Sequence, residues 1–273
     1  MRLFVTGASS FVGAHFCMLA VQHGHVVHGL HRNTPLNLRG VVSVQADVAT
    51  ARPSPGTDVV VHLATKVMAA DAREQNRRML DAVLSWGLPV VYASSTVVHW
   101  PRKNAYAESR VEDEARVRAS GLPHAIVRPC APYGPRVPGH EPAHKESFHT
   151  LARMCRRLPL VPVMGNGNYR RQPVHVDDFN GAILALVRRG LARDEFDAGG
   201  PEPLALREII RSLGGRRVLP LPRPLLRVAG PLAGLSADVV STFDTDDVVD
   251  PQPLARASGI DPRPFDAGAL ANV

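Results

Sequence analysis

Short, nearly unbroken apolar runs alternate along this chain with longer stretches whose apolar residues recur at helical spacing. Met1 to Val5 is the first run, bounded by a Thr-Gly turn, and reads as a buried strand. From Phe11 to Gln22 the apolar positions Phe11, Val12, Phe16, Leu19 and Ala20 follow a helical repeat that stops at Gly24. Val26 to Leu30, Val41 to Gln45 and Val59 to Leu63 read as three further strands. A helix is predicted from Arg73 to Trp86, ended by Gly87, and a strand from Pro89 to Ala93. Another helix covers Tyr106 to Ser120, closed by Gly121, before a strand from Ala125 to Arg128. Alternation of this kind predicts an α/β protein, a doubly wound parallel sheet with helices on both faces.

After Pro129 the texture changes. Residues 129 to 173 are rich in Pro and Gly and carry His140, His144 and His149 in a polar loop region, with a helix expected from Phe148 to Arg157. Val174-His175-Val176-Asp177-Asp178 reads as a short strand running into a helix to Arg189, with Asp177 or Asp178 as its N-cap. Glu195 to Ala198 reads as one more strand, and short helices with proline-rich connectors follow Pro201. The run Leu225 to Leu235, broken by Arg227, Gly230 and Pro231, reads as a buried or capping helix. The expected division is a core of residues 1–133 and 173–200 and a smaller substrate lobe of residues 134–172 and 201–273.

Composition narrows the function. A chain of 273 residues can bury a large core, and 45% hydrophobic with 21% charged content suits a soluble globular protein. Aromatics at 5% argue against a stacking surface for single-stranded nucleic acid. The net charge of +7 is spread over short pairs such as Arg156-Arg157 and Arg216-Arg217 rather than a basic stripe. Nucleic acid is thus not the expected partner; a small molecule is. Cys17, Cys130 and Cys155 show neither disulfide nor metal spacing, and the loop histidines lack carboxylate or Cys partners at such spacing. No stretch approaches the roughly 18 apolar residues of a membrane span. A reduced, cytoplasmic protein without metal or membrane segment is expected.

The first strand runs through Thr6-Gly7-Ala8-Ser9-Ser10-Phe11-Val12-Gly13 into the first helix. Strand, glycine turn, helix, strand is the Rossmann-type unit that sets backbone N–H groups and a helix N-terminus beneath a dinucleotide pyrophosphate. Gly7 suits the tight turn and Gly13 the close packing of helix on sheet, while Ser10 fills the middle glycine position and tightens the fit. Past the second strand stands His31-Arg32-Asn33, with no carboxylate nearby. An acidic residue there would hold the ribose 2′-hydroxyl of NAD, whereas an arginine accommodates a 2′-phosphate. Arg32 therefore favours NADP(H) over NAD(H); a solvated arginine stacked on adenine, which NAD also tolerates, is the competing reading.

Further pieces follow in order. They are Asp47-Val48, Val61-His62-Leu63-Ala64, Asn76, Val91-Tyr92-Ala93-Ser94-Ser95, Tyr106-Ala107-Glu108-Ser109-Arg110, and Arg128-Pro129 with Tyr133-Gly134-Pro135. Arg171 through His175-Val176-Asp177-Asp178, then Asp197-Ala198-Gly199-Gly200-Pro201, complete the series. Together with the glycine turn they make the chain resemble the extended short-chain dehydrogenase/reductases, the NAD(P)-dependent epimerase/dehydratase group, over nearly its whole length. The resemblance implies a cofactor site of Gly7, Ser9, Ser10, Phe11, Val12, Gly13, Arg32, Leu63, Ala64, Thr65 and Pro129. Asp47 would accept from the adenine amino group, with Val48 beside the ring. Ser95 would hold the substrate oxygen, Tyr106 would be the general acid/base, and Tyr133 and Arg171 would face substrate.

The family's lysine four residues after that tyrosine, which binds the nicotinamide ribose, is Arg110 here. Spacing of four keeps Arg110 and Tyr106 on one helix face, so a cation favouring tyrosinate remains. Arginine can bridge ribose hydroxyls but does not readily release a proton; Lys103 lies close in sequence. Plainer readings stand beside these roles. Ser94-Ser95 can satisfy a turn, Tyr106 can be half-buried with a wet hydroxyl, His62 and His175 can be core histidines, and Arg171 a surface ion-pair partner. The expected function is NAD(P)H-dependent reduction of a small-molecule ketone or aldehyde, with a homodimer left open. Its rivals are a nucleotide-sugar epimerase or dehydratase, and a non-catalytic NADP-binding sensor or scaffold, which Arg110 supports.

Overall fold

Buried side chains at every position after Arg2 set β1 (Arg2–Thr6) inside a seven-stranded sheet. The structure is a computed structural model that describes residues 1–67, 71–142, 146–215, 217–222 and 245–272. His144 and the Leu225 to Leu235 run lie outside the described residues. The other strands are β2 (Val26–His31), β3 (Val41–Gln45), β4 (Val59–His62), β5 (Val90–Ala93), β6 (His124–Pro129) and β9 (Asp194–Ala198). All pair in parallel in the order β3-β2-β1-β4-β5-β6-β9.

Successive strand residues point to opposite faces, so the apolar runs furnish two cores. Leu3, Val5, Val61, Val91 and Val127 pack on one face against α1 (Phe11–Gln22) and α5 (Val176–Arg189). Phe4, Val60, Val90, Tyr92 and Ile126 pack on the other against α2 (Ala72–Ser85) and α3 (Ala105–Ala119). The chain leaves β1 for β2 and β3 on one side, then returns to β4 on the other. This reversal opens a crevice at the C-terminal ends of β1 and β4, where ligands of such sheets bind.

The segment entering α5 departs from expectation. Val174-His175 forms no strand; His175 makes a single bridge to Tyr133, and the helix begins at Val176. The N-cap is His175, not Asp177 or Asp178: its Nδ1 accepts the Asp177 N–H at 3.2 Å. Burial pushes the His175 pKa down, which keeps the ring neutral and able to accept. Asp177 instead lies 3.4 Å from His15, and Asp178 accepts from Arg263.

Beyond the sheet, α4 (Ser147–Arg157), β7 (Val161–Met164), β8 (Arg170–Arg171), β10 (Leu204–Ala205), α6 (Leu206–Ser212) and β11 (Val218–Leu221) surround a third core of Tyr133, Phe148, Ile209, Ile210 and Leu270. A last helix, α7 (Gln252–Ser258), packs on α5. The pairs β7–β11 and β8–β10 were not anticipated, because such short pieces hold only through partners distant in sequence. The C-terminal tail is part of this core. Tyr133 donates its hydroxyl to the Pro264 carbonyl at 3.3 Å and accepts from the Asp266 N–H at 2.9 Å. Arg263 reaches Asp178 at 2.8 Å, and Arg156 donates to the Leu270 carbonyl at 3.0 Å.

Candidate functional site

The glycine turn stands at the reversal point. Gly7 adopts φ +69°, and a Cβ there would lie 2.6 Å from the Ala64 nitrogen, so β1 and β4 approach as closely as glycine allows. A Cβ on Gly13 would collide with the Gly7 carbonyl oxygen. Ser10 caps α1, its Oγ accepting the Gly13 N–H at 3.0 Å. No acidic residue stands in the first turn of α1, so the helix start at Phe11 and Val12 keeps its positive end uncompensated. His140 places Nε2 2.9 Å from the Ser9 carbonyl oxygen, laying its loop beside the turn. Leu63 is buried, Ala64 half-buried and Thr65 exposed at the end of β4. The Lys66 backbone, just beyond, is pinned by the side-chain amide of buried Asn76, whose Oδ1 accepts the Lys66 N–H and whose Nδ2 donates to the Lys66 carbonyl.

At the end of β2, Arg32 has a carboxylate neighbour after all. Its Nη1 lies 3.2 Å from Asp47 Oδ2, both side chains being about half exposed, while Asp47 Oδ1 accepts the Ala49 N–H at 2.9 Å. The Ala49 N–H, then Arg32, holds the Asp47 carboxyl below its ordinary range. The expectation of no carboxylate near Arg32 held along the chain and fails in space, because the turn after β3 brings Asp47 back. Val48 is buried beside it.

The third group gathers where β5 ends. Ser94 is buried and donates to Glu114 at 2.6 Å, whereas Ser95 is half-buried at the head of a 3₁₀ turn (Thr96–His99) that packs on α3. Glu114 also takes two hydrogen bonds of 2.7 Å from Arg128. Asn104 caps α3 by accepting the Ala107 N–H, which sets half-buried Tyr106 in its first turn. The Arg110 guanidinium carbon sits 5.3 Å from the Tyr106 ring centre and 5.7 Å from that of Tyr92. Arg110 is 2% exposed and lies 2.8 Å from Asp113, and its Nε is buried with no hydrogen-bond partner. His62, 2.6 Å from Thr6 Oγ1, is a satisfied core histidine whose pKa burial and then Arg110 lower to about 3.

Other expected residues are placed differently. Tyr133 is fully buried with its hydroxyl paired to the tail backbone, and it packs in the outer core. Arg171 donates to the Thr245 and Arg170 carbonyls and covers the Tyr169 ring at 4.8 Å. Pro129 is half-buried at the end of β6. The structure thus brings together the glycine turn with Leu63-Ala64, Arg32 with Asp47, and Tyr106 with Arg110. Sequence reasoning missed Asp113, whose signal was its place three residues after Arg110 on one helix. It also missed Glu114, the shared acceptor of Ser94 and Arg128. Among the described residues no group of His, Cys, Asp and Glu could hold a metal ion, and no helix is long and apolar enough to cross a membrane.

The model of the NAD dependent epimerase/dehydratase family matches residues 3–199. The chain belongs to this family. Among curated proteins, it is 27% identical over 259 residues to a ceramide reductase of Caulobacter vibrioides, covering 87% of this chain and 79% of that protein. It is 24% identical to the dTDP-4-dehydro-6-deoxy-D-allose reductase of Streptomyces bikiniensis, covering 92% of each. Among solved structures, the UDP-glucuronic acid 4-epimerase of Bacillus cereus, in complex with UDP-glucuronic acid and NAD, superposes with a TM-score of 0.75 at 18% identity, over 99% of this chain and 96% of that one. The dTDP-glucose 4,6-dehydratase DesIV of Streptomyces venezuelae superposes with a TM-score of 0.73 at 22% identity, over 99% and 95%. These structures share the epimerase/dehydratase fold.

Proposed function

We propose that this chain is an NADPH-preferring reductase of a small-molecule carbonyl. The observation that carries the reading is Arg110 packed against Tyr106 at the start of α3, beside the turn that follows Ser95. The residues fit a dinucleotide on two counts. The Gly7–Gly13 cradle has no room for a Cβ at either glycine and ends in an uncompensated helix start. Arg110 Nε is an orphaned buried donor next to Tyr106, and a ribose hydroxyl oxygen would satisfy it. Gly7 to Gly13 would hold the diphosphate, Arg32 a 2′-phosphate, Asp47 and Val48 the adenine, and Leu63 to Thr65 with Pro129 the nicotinamide half.

A bound reduced nicotinamide supplies hydride to the carbonyl carbon. The Ser95 hydroxyl would donate a hydrogen bond to the carbonyl oxygen, polarising it, and Tyr106 would deliver a proton to that oxygen as charge builds there. The two curated relatives with reductase names support reduction as the direction. The ion pair of Arg110 with Asp113 favours a second reading, in which the chain binds NADPH and transforms nothing.

The test is fluorescence titration with NADPH and NADH, then loss of reduced-nicotinamide absorbance across ketones and aldehydes that include a keto lipid and a dTDP-4-dehydro sugar. Tighter NADPH binding is expected, with turnover that Tyr106→Phe lowers by about 10²-fold or more. Binding with no turnover on any carbonyl would favour the sensor. No binding of either nucleotide would sink both readings.

A further inference from the structure

Arg110 and Asp113 stand one turn apart on α3 with Nη2 2.8 Å from Oδ2, their side chains 2% and 3% exposed. The same Oδ2 accepts the Tyr92 hydroxyl at 3.0 Å. Burying a guanidinium without a counter-charge is costly, and Asp113 is the carboxylate in contact with it. The ionisable groups around the pair are His62 on β4, Tyr92 on β5, and Tyr106 and Glu114 on α3. Glu114 is already engaged by Arg128 and Arg118. On the outer side, α2 pairs Arg73 with Glu108 and Glu112, and Asp81 with Arg116, at the solvent surface.

A cation with an anion 2.8 Å away acts on a third group as a dipole, much more weakly than a lone cation. The guanidinium also lies against the Tyr106 ring, with its orientation fixed by Asp113. We propose that Asp113 is a positioning residue that holds Arg110 against Tyr106 and sets how much of the guanidinium charge reaches the phenol. The proposal deepens, and rests on, the reading of Tyr106 as the proton donor. It makes Arg110 and Asp113 one unit, so replacing either alone changes the field at Tyr106 in opposite senses.

The test is tyrosinate absorbance titration of the purified protein, with the Tyr106 contribution isolated by subtracting Tyr106→Phe. Asp113→Asn keeps the shape and an acceptor for Tyr92 while removing the compensating charge. Its Tyr106 transition is expected to move to lower pH by about one unit. Arg110→Gln leaves Asp113 uncompensated and moves the transition up, and Arg110→Gln with Asp113→Asn falls between the two. An Asp113→Asn transition coincident with wild type overturns the proposal. If Asp113→Asn fails to fold, Arg110→Gln with and without Asp113→Asn carries the same test: the added change must lower the transition, and no movement overturns the proposal. A residue that only supports packing would alter stability without ordering the variants this way. Turnover is measured separately, so an inactive wild type sinks the reading of Tyr106 while leaving the titration to judge Asp113.

Discussion

In the proposed function, two single residues govern how a nucleotide would seat itself. Gly13 has no space for a methyl group, since its Cβ would strike the Gly7 carbonyl oxygen, a main-chain atom that moves only with the turn. Gly13→Ala is therefore expected to cost about 1–3 kcal/mol, measured as a lower urea midpoint, and to weaken NADPH binding at least tenfold. Unchanged binding would mean that the turn does not hold the diphosphate. Arg32 is held at one edge by Asp47, which leaves guanidinium donors for a phosphate. Arg32→Gln is expected to weaken NADPH binding roughly tenfold while moving NADH less than twofold; an equal loss for both would refute the 2′-phosphate role. Some of this was legible from residue order, including Gly7, Gly13, Tyr106 and Arg110. The Arg32–Asp47 contact was not, because it depends on where the turn after β3 lands. The tail residues that cover Tyr133 were not legible either, because its motif position says nothing of a segment 131 residues further on.

Helices and strands differed in how openly the chain declared them. Every strand from β1 to β6 was legible: the inner parallel strands are buried on both faces and need apolar runs that glycine and proline then punctuate, while the exposed edge strand β3 showed itself through its valines alone. By contrast β7 is Val-Pro-Val-Met and β8 is Arg-Arg, patterns with no period of their own, and only pairing with β11 and β10 makes them strands. The start of α5 was misjudged for a related reason: a neutral histidine can cap a helix when burial keeps it unprotonated, and burial is a tertiary property. At the start of α1 the cap follows the ordinary rule, which gives an element-scale prediction. Ser10→Ala removes the acceptor for the Gly13 N–H and is expected to cost about 1 kcal/mol, whereas Ser10→Gly costs only a few tenths. Thermal unfolding followed by circular dichroism ranks the three proteins; Ser10→Ala as stable as wild type would deny the cap.

At the scale of the whole molecule, acid should weaken the protein in two windows. Burial, then Arg110, lowers the His62 pKa from 6.5 to about 3, so the ring is neutral in the fold. Between those values the unfolded chain holds a proton that the folded chain lacks, and stability declines as pH falls, by at most about 1.4 kcal/mol per pH unit. Glu195, held down to about 2 by Arg118 and then Arg128, adds its own loss only below its ordinary 4.5. Urea midpoints should thus drop from pH 6.5 downward, with a shallower slope in His62→Gln; equal slopes would show that His62 is not the group responsible. The tail that wraps Tyr133 has a different consequence, one in time. On the ribosome, all seven strands of the main sheet have been made once β9 emerges, but Tyr133 and Phe148 must wait for Pro264, Asp266 and Leu270. Until translation reaches those residues the nascent chain displays an aromatic patch, which makes that interval the point at which a holding chaperone is most needed.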